Sequence, residues 1–494
     1  MAGLPPPLSR PWCRRMSSRK ERLALIQKQA QEKFGKSHMQ RASDRPVDIP
    51  LLPIGGLQFD MMIGGGFPVG ALSLLWGWEG GGKTTTALKA IASCHKMCSD
   101  CNTFIQPVLL VAPAGASDEE VAEWRSRRQE CVHCKEPYHL KDKQRTKART
   151  YSKAAGASKE DLKEIDKGAY ICTACGCIGS EEEMFRDLEE DEEFDRFEYD
   201  GGYSCECGNN TPTMALFVDF ENRLDLRWAQ TLGVDLDRLI IESPLYGEQG
   251  IDIIKRAVAE GVVDIIVIDS VANISTAEEV DVSSSGSKSF AGSARLVNQF
   301  LRGLPGLLVR ARDEWGVRTT VLALNQVRNK VGAFGGHTLF GGEGQKFASS
   351  TTVKFTGGAS ITDEEQVGAK ARKETLGVSS VTIINAQCDK SSVRSARGLN
   401  CQFRLVTATD GELRKGDIDD YSLIIQQGKA CGVIRKCDEG YRVSHWPVTF
   451  RILDDIKAEL RRNIFFKFHA NREIIRAVHD QDWFKLKSEV RANK

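Results

Sequence analysis

The sequence predicts an α/β fold: a mainly parallel sheet with helices on both faces, preceded by a helical arm, interrupted by a metal-binding module and followed by a small α+β C-terminal domain. Three observations predict it. Short apolar runs alternate with helix-period segments over most of 71–406, the pattern of strands joined by crossover helices. A glycine-rich loop of phosphate-binding type joins one such run to the helix after it. Paired cysteines fill 98–212, where the alternation stops before resuming.

Composition sets the frame. A chain of 494 residues with 41% hydrophobic side chains is long enough for two or three domains and a sizeable core. The net charge of +1 neither supports nor excludes a polyanion partner, so any nucleic-acid contact has to come from local loops. There is no apolar run of about 18 residues. The N-terminal stretch through Arg22 is polar and Pro-rich, without the apolar centre of a secretory signal. The reading is a soluble, intracellular, cytoplasmic protein with no membrane partner. Ten of the 15 cysteines (Cys94, Cys98, Cys101, Cys131, Cys134, Cys172, Cys175, Cys177, Cys205, Cys207) lie in one stretch, many paired as C-x-x-C or C-x-C, which favours metal ligation over disulfides. Cys13, Cys388, Cys401, Cys431 and Cys437 are scattered and read as buried or inert thiols.

Residues 1–18 lack periodicity and are expected to be disordered. In 21–35 the residues Leu23, Leu25, Ile26, Ala30 and Phe34 recur at helical spacing, with Gly35 as a stop, which predicts a packing arm. The run ALSLLW is a strand that feeds the glycine loop and a helix from Thr84 to about Cys94. Within the interruption lie a basic stretch at 141–153 and an acidic run at 181–200, the latter read as solvated surface or a flexible loop, and PVLLVA (107–112) fits a strand of either the core or the module. Beyond it the expected order is strand LFVDF, helices over 224–232 and 249–260, strand DIIVIDS (264–270), a polar loop (281–289) and a helix over 291–313. Strand TTVLALNQ (319–326), a second Gly-rich loop through Gly344 and strands at 350–355, 379–386 and 402–406 complete the core. The division is therefore 1–45 tail and oligomerisation helix, 46–97 and 213–410 core, 98–212 insertion, and 411–494 C-terminal domain.

The segment Gly77-Trp78-Glu79-Gly80-Gly81-Gly82-Lys83-Thr84 satisfies G-x-x-x-x-G-K-[ST], and Thr85 doubles the hydroxyl. Glycines let consecutive N–H groups meet a β-phosphate while the helix N-terminus adds positive partial charge. Lys83 can reach β- and γ-phosphates, and Thr84 offers a hydroxyl to Mg²⁺. The run IIVID ends in Asp269, the arrangement of an acid that holds Mg²⁺ through water. Glu221 lies just past strand LFVDF, at the sheet edge where ligands bind in open α/β folds, and a carboxylate there can deprotonate an attacking water. ATP and Mg²⁺ are thus the expected cofactors.

The cysteines have their own arithmetic. A structural Zn²⁺ needs four ligands, so pairs must combine. The favoured sets are Cys98, Cys101, Cys205 and Cys207, closing the neck of the insertion, and Cys131, Cys134, Cys172 and Cys175 within it; Cys177, Cys94, His133 and His139 are substitutes. A closed four-thiolate site has no open coordination position, which makes the expected zinc structural.

Several separated segments together resemble the RecA family of DNA recombinases. They are the helix ending in KFGKSHMQR, the phosphate loop with Thr84-Thr85, VDFENRLDLRWAQTLGVDLDRLI, VDIIVIDSVANI and LALNQVRNKVGAFGG…FGGEGQKFASS, covering roughly 20–98 and 213–435. The resemblance implies a DNA-dependent ATPase that assembles as a helical filament on single-stranded DNA and exchanges strands with homologous duplex. It puts Glu221 at the catalytic glutamate, Trp228 at a ring that stacks on adenine and Gln326 at a γ-phosphate sensor. Composition alone reads Trp228 as a core residue. The resemblance also marks two DNA-binding loops. The first leads into Arg295, Asn298 and Arg302, and the second carries Arg328, Lys330, Phe334, Gly341 and Gly342. There are departures. Where the family has two lysines reaching a neighbour's ATP, the sequence reads Cys388-Asp389-Lys390, leaving only Lys390. The ending KLKSEVRANK lacks the acidic tail common in bacterial members. An enlarged, metal-stapled core points to a virus- or phage-type member in bacterial or infected-host cytoplasm. The competing readings are a hexameric helicase or repair motor on the same fold, against which the helical arm weighs, and a clock or signalling ATPase, against which the two polar loops weigh.

Overall fold

The computed structural model describes residues 19–34, 49–111, 128–131, 137–139, 145–147, 170–172, 178–179, 185–187, 197–281, 291–329, 337–342, 344–357, 360–361, 381–393, 397–409, 413–438, 440–446 and 448–480. The expected tail at 1–18 and nearly all of the polar loop at 281–289 lie outside them. No helix among the described residues is long and apolar enough to cross a membrane.

Helix α1 (Arg19–Phe34) forms where the periodicity places it, with Leu23 and Ile26 47% and 52% exposed among the described residues. Then follow α2 (Leu57–Ile63), β1 (Leu72–Gly77) and α3 (Lys83–Cys94). The interruption opens with β2 (Gln106–Val111), which pairs antiparallel with β3 (Phe197–Ser204) in a two-stranded sheet of its own. The apolar run that fitted either unit thus pairs within the insertion. The acidic run, expected as solvated surface, contributes Phe185–Asp187 to one small sheet and the start of β3 to another, because its interspersed Phe and Tyr suit strands.

The core resumes with β4 (Ala215–Asp219), α4 (Leu226–Thr231), β5 (Leu239–Glu242), α5 (Gly247–Ala259), β6 (Ile265–Asp269), α6 (Ala291–Trp315) and β7 (Thr320–Asn329). A short β8 (His337–Leu339) folds back on β7, and α7 (Gly344–Ala348), β9 (Thr351–Thr356), β10 (Val381–Ser391) and β11 (Asn400–Val406) follow. The main sheet runs β5-β4-β6-β7-β1-β9 in parallel, then β10 and β11 antiparallel. Its strands are near-continuous apolar runs because both faces are covered. Ile265 and Val267 pack with Ala87, Leu88 and Ile91 of α3, while Ile266 and Ile268 pack with Ile251 and Ile254 of α5 and Val297 and Leu301 of α6. Each of these Ile, Val and Leu side chains, at most 2% exposed, contributes roughly 1.5–3 kcal/mol.

A third cluster belongs to the C-terminal unit: α8 (Tyr421–Ala430), the sheet β12 (Ile434–Cys437), β13 (Gly440–Val443) and β14 (Thr449–Phe450), and helices α9 (Leu453–Arg462) and α10 (Ile464–Asp480). It is tied to the core by buried charge. Asp420 accepts from the Leu57 backbone N–H at 2.7 Å and pairs with Lys467 at 2.6 Å, and Lys467 also donates to the Ile418 carbonyl.

Candidate functional site

At the carboxyl ends of β1, β4, β6 and β7 the loops converge on a cavity of about 280 Å³. It is lined by Glu79, Gly80, Gly81, Gly82, Lys83, Thr84, Thr85, Glu221, Trp228, Asp269 and Gln326, with Thr382, Ile384, Leu405 and Thr407 closing the far side. Gly77 ends β1 just outside, and a Cβ there would lie 2.1 Å from the Phe355 carbonyl oxygen, so only glycine lets β9 pair this closely. Gly82 sits at φ +92°, turning the chain into α3.

Lys83 donates to the Gly77 and Trp78 carbonyls at 3.1 and 2.6 Å, and burial lowers its pKa. Thr84 donates to Asp269 at 2.7 Å. Burial, with Glu221 and Asp219 adding negative charge nearby, pushes Asp269 up to about 6 despite the Thr84 hydrogen bond. A hydroxyl and a buried carboxylate this close, one residue from the lysine, are a fitting oxygen donor pair for a hard divalent cation. One oxygen of Glu221 accepts from Ser270 at 2.6 Å and from the Gln326 amide at 2.8 Å. Asp219 holds the turn beneath by accepting from the backbone N–H groups of Glu221, Arg223 and Leu224. Asp225 caps α4 through the N–H groups of Arg227 and Trp228, which sets the ring at the cavity wall. The Lys415 ammonium stands 5.6 Å from that ring's centroid.

Sequence reasoning missed Ser270, Asp219 and Lys415. The first two follow or end motif strands and were within reach of local inspection. Lys415 approaches from the C-terminal side, and nothing in the sequence near Trp228 signals it. Lys390 stands apart from the cavity: its ammonium is held by the carbonyls of Lys346, Phe347 and Ser349 at 3.0, 3.2 and 2.6 Å, capping α7.

On α6, Arg295 and Arg302 are exposed and Asn298 between them is half-buried. The Asn298 amide nitrogen donates to the Ala294 and Gly341 carbonyls, so it is committed within the chain. The second loop begins as a hairpin, with Arg328 opposite Thr338, and ends in a turn where Gly341 and Gly342 take φ +77° and +83°. Lys330, Phe334 and the Arg328 side chain lie outside the described residues.

The outer cysteine set is assembled. The sulfurs of Cys98, Cys101, Cys205 and Cys207 all lie within 4.8 Å of one another, with Cys98 to Cys207 at 3.7 Å and Cys205 to Cys207 at 3.4 Å. Tetrahedral zinc with bonds of about 2.3 Å spaces its sulfurs about 3.8 Å apart, so the donor set fits that ion. Asn102, Gly208 and Asn210 take positive φ in the two turns that present the thiols. Ser99 donates to Asp264 at 2.5 Å and the Met214 N–H to its other oxygen at 2.8 Å, fixing this neck to the start of β6. Cys94 is buried outside the cluster, its thiol raised by burial. The side chains of Cys131 and Cys172, and all of Cys134, Cys175, Cys177 and His133, lie outside the described residues, as does the His139 side chain.

Compared with known proteins, residues 21–117 and 204–383, more than half of the chain, match the family described as the RecA N-terminal domain; the gap falls within the cysteine-rich interruption. Protein RecA of a Nitratiruptor species is 36% identical over 167 residues, which are 33% of this chain and 46% of that protein. Protein RecA of Campylobacter fetus subsp. fetus is 37% identical over 164 residues, 32% and 46% respectively, and that of Lactococcus lactis subsp. cremoris 37% over 150, 30% and 37%. The chain thus spans less than half the length of these relatives.

Proposed function

The chain belongs to the RecA family, and from that premise we propose that it is an ATP-dependent homologous recombinase which coats single-stranded DNA as a helical filament and exchanges strands with homologous duplex. The observation that carries the reading is Glu221, held by Gln326 beside Lys83 and Asp269, because Gln326 lies on the strand that continues into the second loop. Glu221 is the base: its second oxygen is free of the Ser270 and Gln326 hydrogen bonds and can take a proton from water. Lys83 leaves its two loop carbonyls to meet phosphate oxygens, and Trp228 provides the wall for the base. Magnesium, when bound by Thr84 and Asp269, neutralises phosphate charge. Arg295 and Arg302, with Arg328, Lys330 and Phe334 of the second loop, meet the DNA. The half-exposed Leu23 and Ile26 on α1 support assembly with a second copy, since a lone helix of this length needs a packing partner. The neck cysteines hold a structural zinc that closes the insertion.

Negative-stain microscopy with single-stranded DNA and a slowly hydrolysed ATP analogue tests this. Helical filaments are expected; closed rings would favour the hexameric motor, and bare DNA would remove both.

A further inference from the structure

Beneath the second loop lies a polar assembly that the ATP site does not use. Asn325, next to Gln326 on β7, is fully buried, and so is Gln345 on α7. The Asn325 amide nitrogen donates to the Phe340 carbonyl at 3.0 Å and to the Gln345 side-chain oxygen at 2.9 Å. Its oxygen accepts from the Gln326 backbone N–H at 2.8 Å. Gln345 in turn donates to the same Phe340 carbonyl at 2.5 Å. The next carbonyl, that of Gly341, accepts from Asn298 on α6. A Cβ at Gly341 would lie 2.4 Å from the Gln345 amide nitrogen, and one at Gly344 would lie 3.2 Å from the Asn298 oxygen, so the turn is fitted closely around both amides.

Two buried amides bonded to each other and both to the Phe340 carbonyl, with Asn298 on the next carbonyl of the same turn, fix that turn, because moving it strands buried polar atoms away from water. The turn ends the second loop. One side of the assembly grips β7 at the residue before the phosphate-facing glutamine, and the other grips the helix that carries Arg295 and Arg302. We propose that Gln345 and Asn298 are positioning residues that couple the two DNA-facing segments to each other and to the nucleotide, so that a shift at Gln326 moves both together. Asn298 then acts on DNA through the turn, not by direct contact. This inference rests on the recombinase reading above.

The test uses the full chain, with single-stranded DNA affinity measured by anisotropy at fixed salt, with ADP and with a slowly hydrolysed ATP analogue. In the wild type the two affinities should differ by about 5- to 150-fold, the usual span of coupling between sites. Gln345→Leu keeps the volume and leaves Asn325 its Phe340 and Gln326 partners; it should bring the two affinities to within about twofold while nucleotide binding is unchanged. Asn298→Ala, at a half-buried position that tolerates truncation, decides the matter if the first variant fails to fold. It should shrink the ratio likewise, whereas loss of a plain DNA contact would weaken both affinities equally and keep the ratio. A wild-type ratio in the variants, with or without a lower melting temperature, overturns the inference alone. A wild type whose DNA affinity ignores the nucleotide overturns the recombinase reading and, with it, the coupling.

Discussion

Glu221→Gln is the sharpest perturbation of the nucleotide site. The oxygen that accepts from Ser270 and Gln326 has a counterpart in the glutamine amide, so both hydrogen bonds, at 2.6 and 2.8 Å, survive with the side chain in place. The free oxygen becomes an NH₂ that cannot accept a proton. Nucleotide affinity should stay within about threefold, because Lys83, Thr84 and the loop amides are untouched and one hydrogen bond is worth only about 1 kcal/mol. General-base assistance is worth about 10²- to 10⁴-fold, so the hydrolytic barrier should rise by roughly 3–5 kcal/mol. Single-turnover phosphate release with nucleotide prebound, beside a binding titration of the same preparation, measures the two separately. The reasoning is refuted if hydrolysis stays within about tenfold of wild type, or if slowing comes with a matching loss of affinity.

Lys83→Ala should cut turnover to about 1% or less while the melting temperature holds, since the hydrogen bonds lost within the chain are the two to loop carbonyls; residual activity well above that would move the site elsewhere. Protein purified without added zinc should contain about one to two zinc ions per chain, and Cys207→Ser should remove one of them. An unchanged zinc content in that variant would reject the neck site. His95 accepts from the Asp235 N–H at 3.1 Å, and burial, with Arg238 nearby, holds its imidazole down to about 4. The unfolded chain therefore takes up this proton first as pH falls through 6.5, so the contribution to stability is whole above 6.5 and lost towards 4, on the order of 3 kcal/mol. Thermal melts of His95→Asn should show a shallower acid slope than wild type over that window, and parallel slopes would exclude the effect.

Much of the core was legible because its signals are local. Gly77 to Thr84 is one contiguous motif, IIVID is so uniformly apolar that its burial follows from composition, and the C-x-x-C and C-x-C spacings mark the neck thiols as pairs, each of which needs another pair to complete a zinc site. What was not legible depends on distant partners. Six residues at 106–111, mostly apolar, announce a strand, but which sheet they join depends on Phe197–Ser204, far along the chain and disguised by acid. The resemblance sends Lys390 towards a neighbour's ATP, and nothing near it in sequence announces that α7 turns three carbonyls towards its ammonium within the chain. Gln345 has the composition of a surface helix residue, and only the fold of the second loop over it makes the amide internal. Trp228 illustrates the converse, a large ring that composition assigns to the interior and the fold sets at the cavity wall.

The neck of the insertion has a consequence for the evolution of such a chain. Cys98 and Cys207 are 109 residues apart in sequence, yet their sulfurs are 3.7 Å apart, with Ser99 and Met214 both anchored on Asp264. To the main sheet, the whole excursion therefore has the footprint of a hairpin turn. Because the entropy of closing a loop grows only logarithmically with its length, lengthening or trimming the excursion beyond the thiols costs the core little. The cysteine knuckle works as a socket: cargo of different size and surface can be fitted at this corner of the sheet, at the opposite strand ends from the phosphate loop, without retuning the cavity there.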